Sequence, residues 1–186
     1  MDPLSERINS LPVSATLSMA AKARELKNQG IDIIGLSLGE PDFNTPEFIK
    51  EAAVQAVNDD WNSYSPVDGY ADLKEAICEK FKRDNKLLYK PSQIVVSTGA
   101  KQSIANVCMV LLDPGDEVLL PAPYWVSYSA IATLAEAKSI IIPSTIETDF
   151  KITPDQLDQV ITPKTKLIMF NSPNNPSGTI YSEEEY

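Results

Sequence analysis

The chain has 186 residues, 43% of them apolar, with 16 Lys+Arg against 26 Asp+Glu and a formal net charge of −10. That length suits one ordinary domain or part of a larger enzyme, at about 150 residues per domain. The acidic balance argues against a general nucleic-acid or anionic-membrane surface, because both need clustered cations. Histidine is absent, which excludes His-based triads, His zinc sites and imidazole proton shuttles.

The opening MDPLSERINS has no cationic stretch followed by an apolar one, so no secretory signal is expected. Ser18 to Gln29 is charged and alanine-rich, which predicts a helix stopped by Gly30. Ile31 to Leu38 is a β-branched run, read as a strand, that ends in the turn cluster LGEPD. Thr45-Pro46-Glu47 has the order of cap, proline and acid that starts a helix, here leading into FIKEAAVQAVN. WNSYSPVDG is a polar, aromatic loop, after which Tyr70 to Lys86 returns to helical spacing with Leu73, Ile77, Cys78 and Phe81 on one side.

From residue 93 the pattern becomes regular. Ile94–Ser97 is a short strand, and Thr98-Gly99-Ala100-Lys101 opens a helix to Leu112. Strands follow at Glu117–Leu120, Ser139–Ile142 and Lys166–Phe170, with helices at Tyr124–Ala135 and at Pro154–Ile161, the latter capped by Thr153. Strand–helix–strand units with short connections imply an α/β fold, a mostly parallel sheet with helices on both faces. Val107–Leu112 is the longest apolar run and is far too short to span a bilayer. Cys78 and Cys108 lie in apolar helical stretches without CxxC spacing and read as reduced core residues of a cytoplasmic protein. Ser182-Glu183-Glu184-Glu185 has the composition of a helix start. A chain cut in the middle of a fold is the expectation there, since so short a helix cannot offset its nucleation cost.

In open α/β sheets, ligands collect beyond the carboxyl ends of the strands. Ser97-Thr98-Gly99-Ala100-Lys101-Gln102 sits at such a place. Its small residues let backbone approach a ligand, and the helix then offers unpaired N–H groups and its positive dipole end. Lys101 puts a cation in the first turn, where dipole logic alone favours an acid. A dianionic phosphate explains that choice, although a tight connection with an exposed lysine would look the same. The motif is neither GxGxxG nor GxxxxGK[ST], so a Rossmann or P-loop nucleotide site is unsupported. Asn171-Ser172-Pro173-Asn174-Asn175-Pro176-Ser177-Gly178 follows the last strand. Two prolines stiffen a path that displays two adjacent amides, more than a simple turn needs. Trp125, in Pro121-Ala122-Pro123-Tyr124-Trp125, offers a ring to stack on an aromatic ligand, or equally one to fill the core.

Together LSLGEPDFNTP, YSPVDGYADLKEAI, STGAKQ, DPGDEVLLPAPYWVSY and NSPNNPSG resemble the fold-type I, pyridoxal-phosphate-dependent aminotransferases, with the nearest look to bacterial aspartate aminotransferases of the aspartate/prephenate type. The likeness runs from about Pro12 to the last residue. It implies pyridoxal 5'-phosphate as cofactor, with the phosphate held by Gly99, Ala100 and Lys101 and the pyridine ring stacked on Trp125. Asn175 matches the asparagine that bonds the cofactor's phenolic oxygen beside the substrate carboxylate, and the Gly39 N–H would touch the substrate's α-carboxylate. Tyr64 matches a tyrosine that reaches the phosphate of the neighbouring subunit, which implies a homodimer. Thr16 and its neighbours resemble the N-terminal segment that closes over substrate. The implied division is residues 1–45 as N-terminal arm and small-domain segment, and 46–186 as the first part of the large cofactor-binding domain.

Departures from the family are equally specific. Its Schiff-base lysine belongs to a serine-and-lysine motif well downstream, and no S-x-x-K or S-K pair occurs here. Arg7, Arg24 and Arg83 all precede the phosphate motif, so the family's carboxylate-clamping arginine is missing, as is the acid that pairs with the pyridine nitrogen. No catalytic residue is therefore assigned. The resemblance implies an amino-group transfer from an amino acid, with aspartate expected, to a 2-oxo acid, by a chain inactive on its own. A non-catalytic cofactor-binding or assembly module is the alternative, and a flavodoxin-like nucleotide binder ranks last. In the family, strands from the later half lie between those encoded here, so Ile94–Ser97 and Lys166–Phe170 are expected to leave open edges that favour aggregation.

Overall fold

The structure is a computed structural model that describes residues 3–11, 13–36 and 39–186. The chain divides into two compact units, one of Met1–Glu25 with Ala100–Tyr186 and one of Leu26–Gly99.

In chain order the helices are α1 (Glu6–Asn9), α2 (Ala15–Asn28), α3 (Glu47–Asn58), α4 (Ala71–Lys80), α5 (Ala100–Leu111), α6 (Ser127–Leu134) and α7 (Pro154–Asp158). The strands are β1 (Glu117–Pro121), β2 (Lys138–Ile142) and β3 (Thr165–Ile168). Good helix formers fill α2, and Gly30 ends it at φ +81°, in the left-handed region open to glycine. The carbonyl of Leu26 then accepts from Ile31 N at 3.1 Å. Thr153 caps α7 as its sequence promised, receiving Gln156 N at 3.3 Å while the Gln156 side chain accepts Thr153 N at 3.0 Å.

The sheet is parallel, in the order β2-β1-β3. Its central strand, EVLLP, is buried along its whole length, as a strand with neighbours on both sides must be. Glu117 to Pro121 pair in step with Lys138 to Ile142. On the other side the register slips by one residue between Glu117 and Val118, so that Thr165 faces Glu117 while Leu167 faces Val118. Glu117, the one charged residue of β1, accepts a 2.6 Å hydrogen bond from the Thr162 hydroxyl. Val118 and Leu120 pack with Cys108 of α5, Tyr128, Ile131 and Ala132 of α6, and Met169. The α/β class with a parallel sheet and helices is as the sequence implied.

Several local expectations need correction. Thr45 does not cap α3, because Pro46 holds the cap position and no side chain bonds there. Residues 31–36 form no strand, and Ser37 and Leu38 lie outside the described residues. Ile94–Ser97 is not a strand either. Two of its amides go elsewhere than to a strand, Ile94 N to Pro91 O in a turn at 3.1 Å and Val96 N to the distant Asp68 O at 3.0 Å. A strand exists only by pairing, and the described residues give this one no partner strand. The helix expected from Tyr70 to Lys86 gives way at Lys80 to a π-helical turn, Phe81–Asn85, ended by left-handed Lys86. The helix expected at Tyr124 starts at Ser127, after the proline-bearing loop, and α7 stops at Asp158, three residues short. Ser182–Glu185 is a turn, with Glu185 accepting Ser182 N at 2.6 Å.

Leu120 is fully buried, so Leu120→Ala is expected to cost about 2–5 kcal/mol of stability, read from urea unfolding. Burial pushes the Cys108 thiol up from its ordinary pKa, whereas Cys78 is half-buried. At neutral pH a disulfide reagent is expected to label Cys78 in the native protein and Cys108 only after denaturant is added.

Candidate functional site

Within the first unit, the loops at the carboxyl ends of all three strands are tied together. The loop after β1 contains Pro123 and Trp125. Ser144, just beyond β2, donates its hydroxyl to Ala122 O. Asn174, beyond β3, donates its amide to Pro123 O at 3.2 Å. The Asn174 carbonyl also accepts the backbone N and hydroxyl of Ser177, at 3.1 and 2.9 Å, while Asn174 N donates to Thr179 O at 2.8 Å. One side chain thus fixes both the shape of its own loop and its place beside the next.

Trp125 is half-buried and meets Tyr128 edge-on, with ring centroids 5.6 Å apart. Lys101, in the first turn of α5, places Nζ 5.1 Å from the Trp125 ring centroid. That distance suits a cation–π contact, and it brings the start of α5 to the β1 loop. No acid lies in the first turn of α5, so that turn holds no carboxylate to repel an anion at the helix start. Gly99, just before α5, has φ +126°, and a Cβ there would meet nothing within 4 Å. Backbone conformation, not crowding, therefore demands glycine at that position.

Of the residues singled out from sequence, Thr16 (half-buried, in α2), Ala100, Lys101, Trp125 and Asn175 belong to the first unit, and Gly39, Tyr64 and Gly99 to the second. Asn175 is exposed on the loop that Asn174 anchors. Gly39 and Tyr64 are exposed, the latter entirely. The sequence motif does not distinguish Asn174 from its neighbour. A paired asparagine ahead of a proline gives no sign of which amide holds the loop and which faces outward.

A cavity of about 340 Å³ lies beside β3, lined by Pro121, Leu157, Ile168, Phe170, Tyr181 and Glu185 among others. It contains none of the candidate residues, and its charged group has the wrong sign for a phosphate. By contrast, a cation, an aromatic face and an acid-free helix start fit the anionic phosphate and planar ring of pyridoxal phosphate.

Solved structures share this architecture closely. Aspartate aminotransferase from Thermus thermophilus with maleate matches with a TM-score of 0.94 at 42% identity, over 99% of this chain and 48% of that one. The enzyme from Rhizobium meliloti matches with a TM-score of 0.93 at 45% identity, over 98% and 46%. The parallel sheet and its helices are thus those of the pyridoxal-phosphate-dependent transferase fold. The chain belongs to the class I and II aminotransferases, whose family model matches residues 31–186. It is 52% identical to aspartate/prephenate aminotransferase of Nitrosomonas europaea and 51% to aspartate aminotransferase of Bacillus subtilis, in each case over 98% of this chain and 46% of the relative. It therefore spans about half the length of the curated relatives it matches.

Asn174→Ala removes the tether to Pro123 and the acceptor for Ser177. It is expected to cost about 1–3 kcal/mol, measured by urea unfolding, and to free the Asn171–Gly178 loop to faster amide exchange.

Proposed function

We propose that the chain is the cofactor-binding half of an aminotransferase that passes an amino group from aspartate to a 2-oxo acid, 2-oxoglutarate first, through pyridoxal phosphate. The single observation that carries the reading is the meeting of Lys101 with the Trp125 ring at 5.1 Å, beside a loop anchored to Pro123. The family match supplies its context.

In this reading the α5 N–H groups and Lys101 bind the phosphate, with Gly99 giving the backbone its approach. Trp125 bounds the flat face of the ring and keeps water from it. Asn175 donates its amide to the phenolic oxygen, and Gly39 donates its N–H to the substrate's α-carboxylate. Thr16 belongs to a segment that closes over substrate, and Tyr64 serves the site of a second subunit in a homodimer. Pyridoxal phosphate, when bound, supplies the electron sink that amino-group transfer needs. The lysine that holds the cofactor and moves the proton at the substrate's Cα is not among these residues. Turnover therefore requires polypeptide carrying it, and residues 1–45 and 46–186 are then pieces of the small and large domains. The enzyme is read as cytoplasmic from its family resemblance; no helix among the described residues is long and apolar enough to cross a membrane.

Pyridoxamine 5'-phosphate lacks an aldehyde, so it probes the site without labelling lysines at random. It is expected to quench Trp125 fluorescence, with Lys101→Met weakening binding about tenfold, or about 1.4 kcal/mol. Borohydride reduction of the chain with pyridoxal phosphate should yield no single-lysine adduct by mass. Adding the later half of the Nitrosomonas europaea relative should restore both the adduct and transamination of aspartate. Absence of any quench rejects the site, whereas a unique adduct and turnover by the chain alone reject the missing-lysine reading.

A further inference from the structure

Between Trp61 and α4 the loop WNSYSPVDG carries, at its last position but one, a residue that is bonded in two directions. Asp68 pairs its carboxylate with Lys74 Nζ of α4. Its backbone carbonyl accepts Val96 N at 3.0 Å. The Lys74 side chain is only 12% exposed, against 46% for Lys50 and 50% for Lys80, which lie on open helix faces. A lysine so enclosed needs its counter-charge, because removing one partner leaves a charge poorly solvated. The Lys74 hydrogen bond in turn holds the Asp68 carboxyl below the usual carboxylate range.

The next residue closes the arrangement. Gly69 N donates to Pro66 O at 3.0 Å, with φ +103°. A Cβ on Gly69 would stand 2.5 Å from Val96 Cγ2, so only glycine lets the loop lie this close to Val96. Among the described residues Val96 lies in no strand ladder, and its N–H goes to Asp68 O instead. Tyr64 lies four residues before Asp68, and Gly99 three after Val96. Arms that short reach at most about 14 Å from their anchors, so the clamp limits where both can go.

We propose that Asp68, Gly69 and Lys74 form a positioning clamp that sets the Gly99 turn for binding this chain's cofactor phosphate, and the Tyr64 loop for the site of the second subunit. This inference rests on the cofactor reading given above. Asp68 and Lys74 do not touch the cofactor; they act through Val96 and the loop. The Asp68 carboxylate is itself 47% exposed, so water screens the pair and the placement of the loop is the larger part of its effect.

The test compares the wild-type protein with Asp68→Asn, Lys74→Met and Lys74→Arg by three measurements. These are pyridoxamine 5'-phosphate affinity from tryptophan quenching, hydrogen exchange of residues 94–99, and the thermal midpoint. Asp68→Asn and Lys74→Met are expected to weaken affinity about tenfold and to speed exchange at Val96, with the midpoint little moved. Lys74→Arg is expected to restore both. Gly69→Ala adds a steric variant whose exchange at Val96 should rise even further. Affinity and exchange unchanged in a folded Asp68→Asn protein overturn the clamp, as does an arginine variant no better than the methionine one. A wild-type protein that does not bind the probe overturns the cofactor reading itself, and the clamp's proposed purpose with it.

Discussion

A strand that touches no water must have every backbone donor and acceptor paired within the protein. Glu117–Pro121 meets that condition by lying between two parallel neighbours. The rest of the first unit follows from it. Parallel neighbours bring all carboxyl ends to one side, and there Ala122, Pro123, Ser144 and Asn174 are bonded into one rim. α5 and α6 cover the Val118 and Leu120 side of the strand, and this cover sets the start of α5 close enough for Lys101 to lie over Trp125. The candidate site is thus a by-product of burying five consecutive residues.

What was legible from sequence was what local chemistry decides. Thr153 followed by proline and, at the third position, glutamine can do little else but cap a helix, and α7 begins where it should. VLL flanked by Asp-Pro-Gly and Pro-Ala-Pro reads as a buried strand in any context, and it is one. The turn at Gly99 and the start of α5 were equally plain. Ile94–Ser97 reads as a strand with the same force, yet β propensity describes fitness for a pairing that another part of a polypeptide must supply. Thr45 fails as a cap because proline's preset φ already shapes the helix entry.

The site was legible as a set of motifs but not as a mechanical arrangement. Nothing in Asn174-Asn175 distinguishes the anchor from the displayed amide. Nothing in Asp68-Gly69 announces that one carbonyl serves Val96 across a gap of 28 positions. Such contacts depend on chain paths fixed by distant packing, and single-sequence patterns carry no record of them. Resemblance of the motifs implied the family's chemistry, and physical structure was needed to tell which of those residues hold and which face outward.

The slip in register between β1 and β3 has a consequence for the open flank of the sheet. β3 is an edge among the described residues, and Lys166 is the residue its irregular pairing skips. A bulge with a protruding ammonium blunts the first half of that edge as a template, while Ile168 and Phe170 leave the second half apolar. The carboxyl-terminal half of that edge is therefore its more exposed apolar stretch, with Ile168 and Phe170 each 37% exposed.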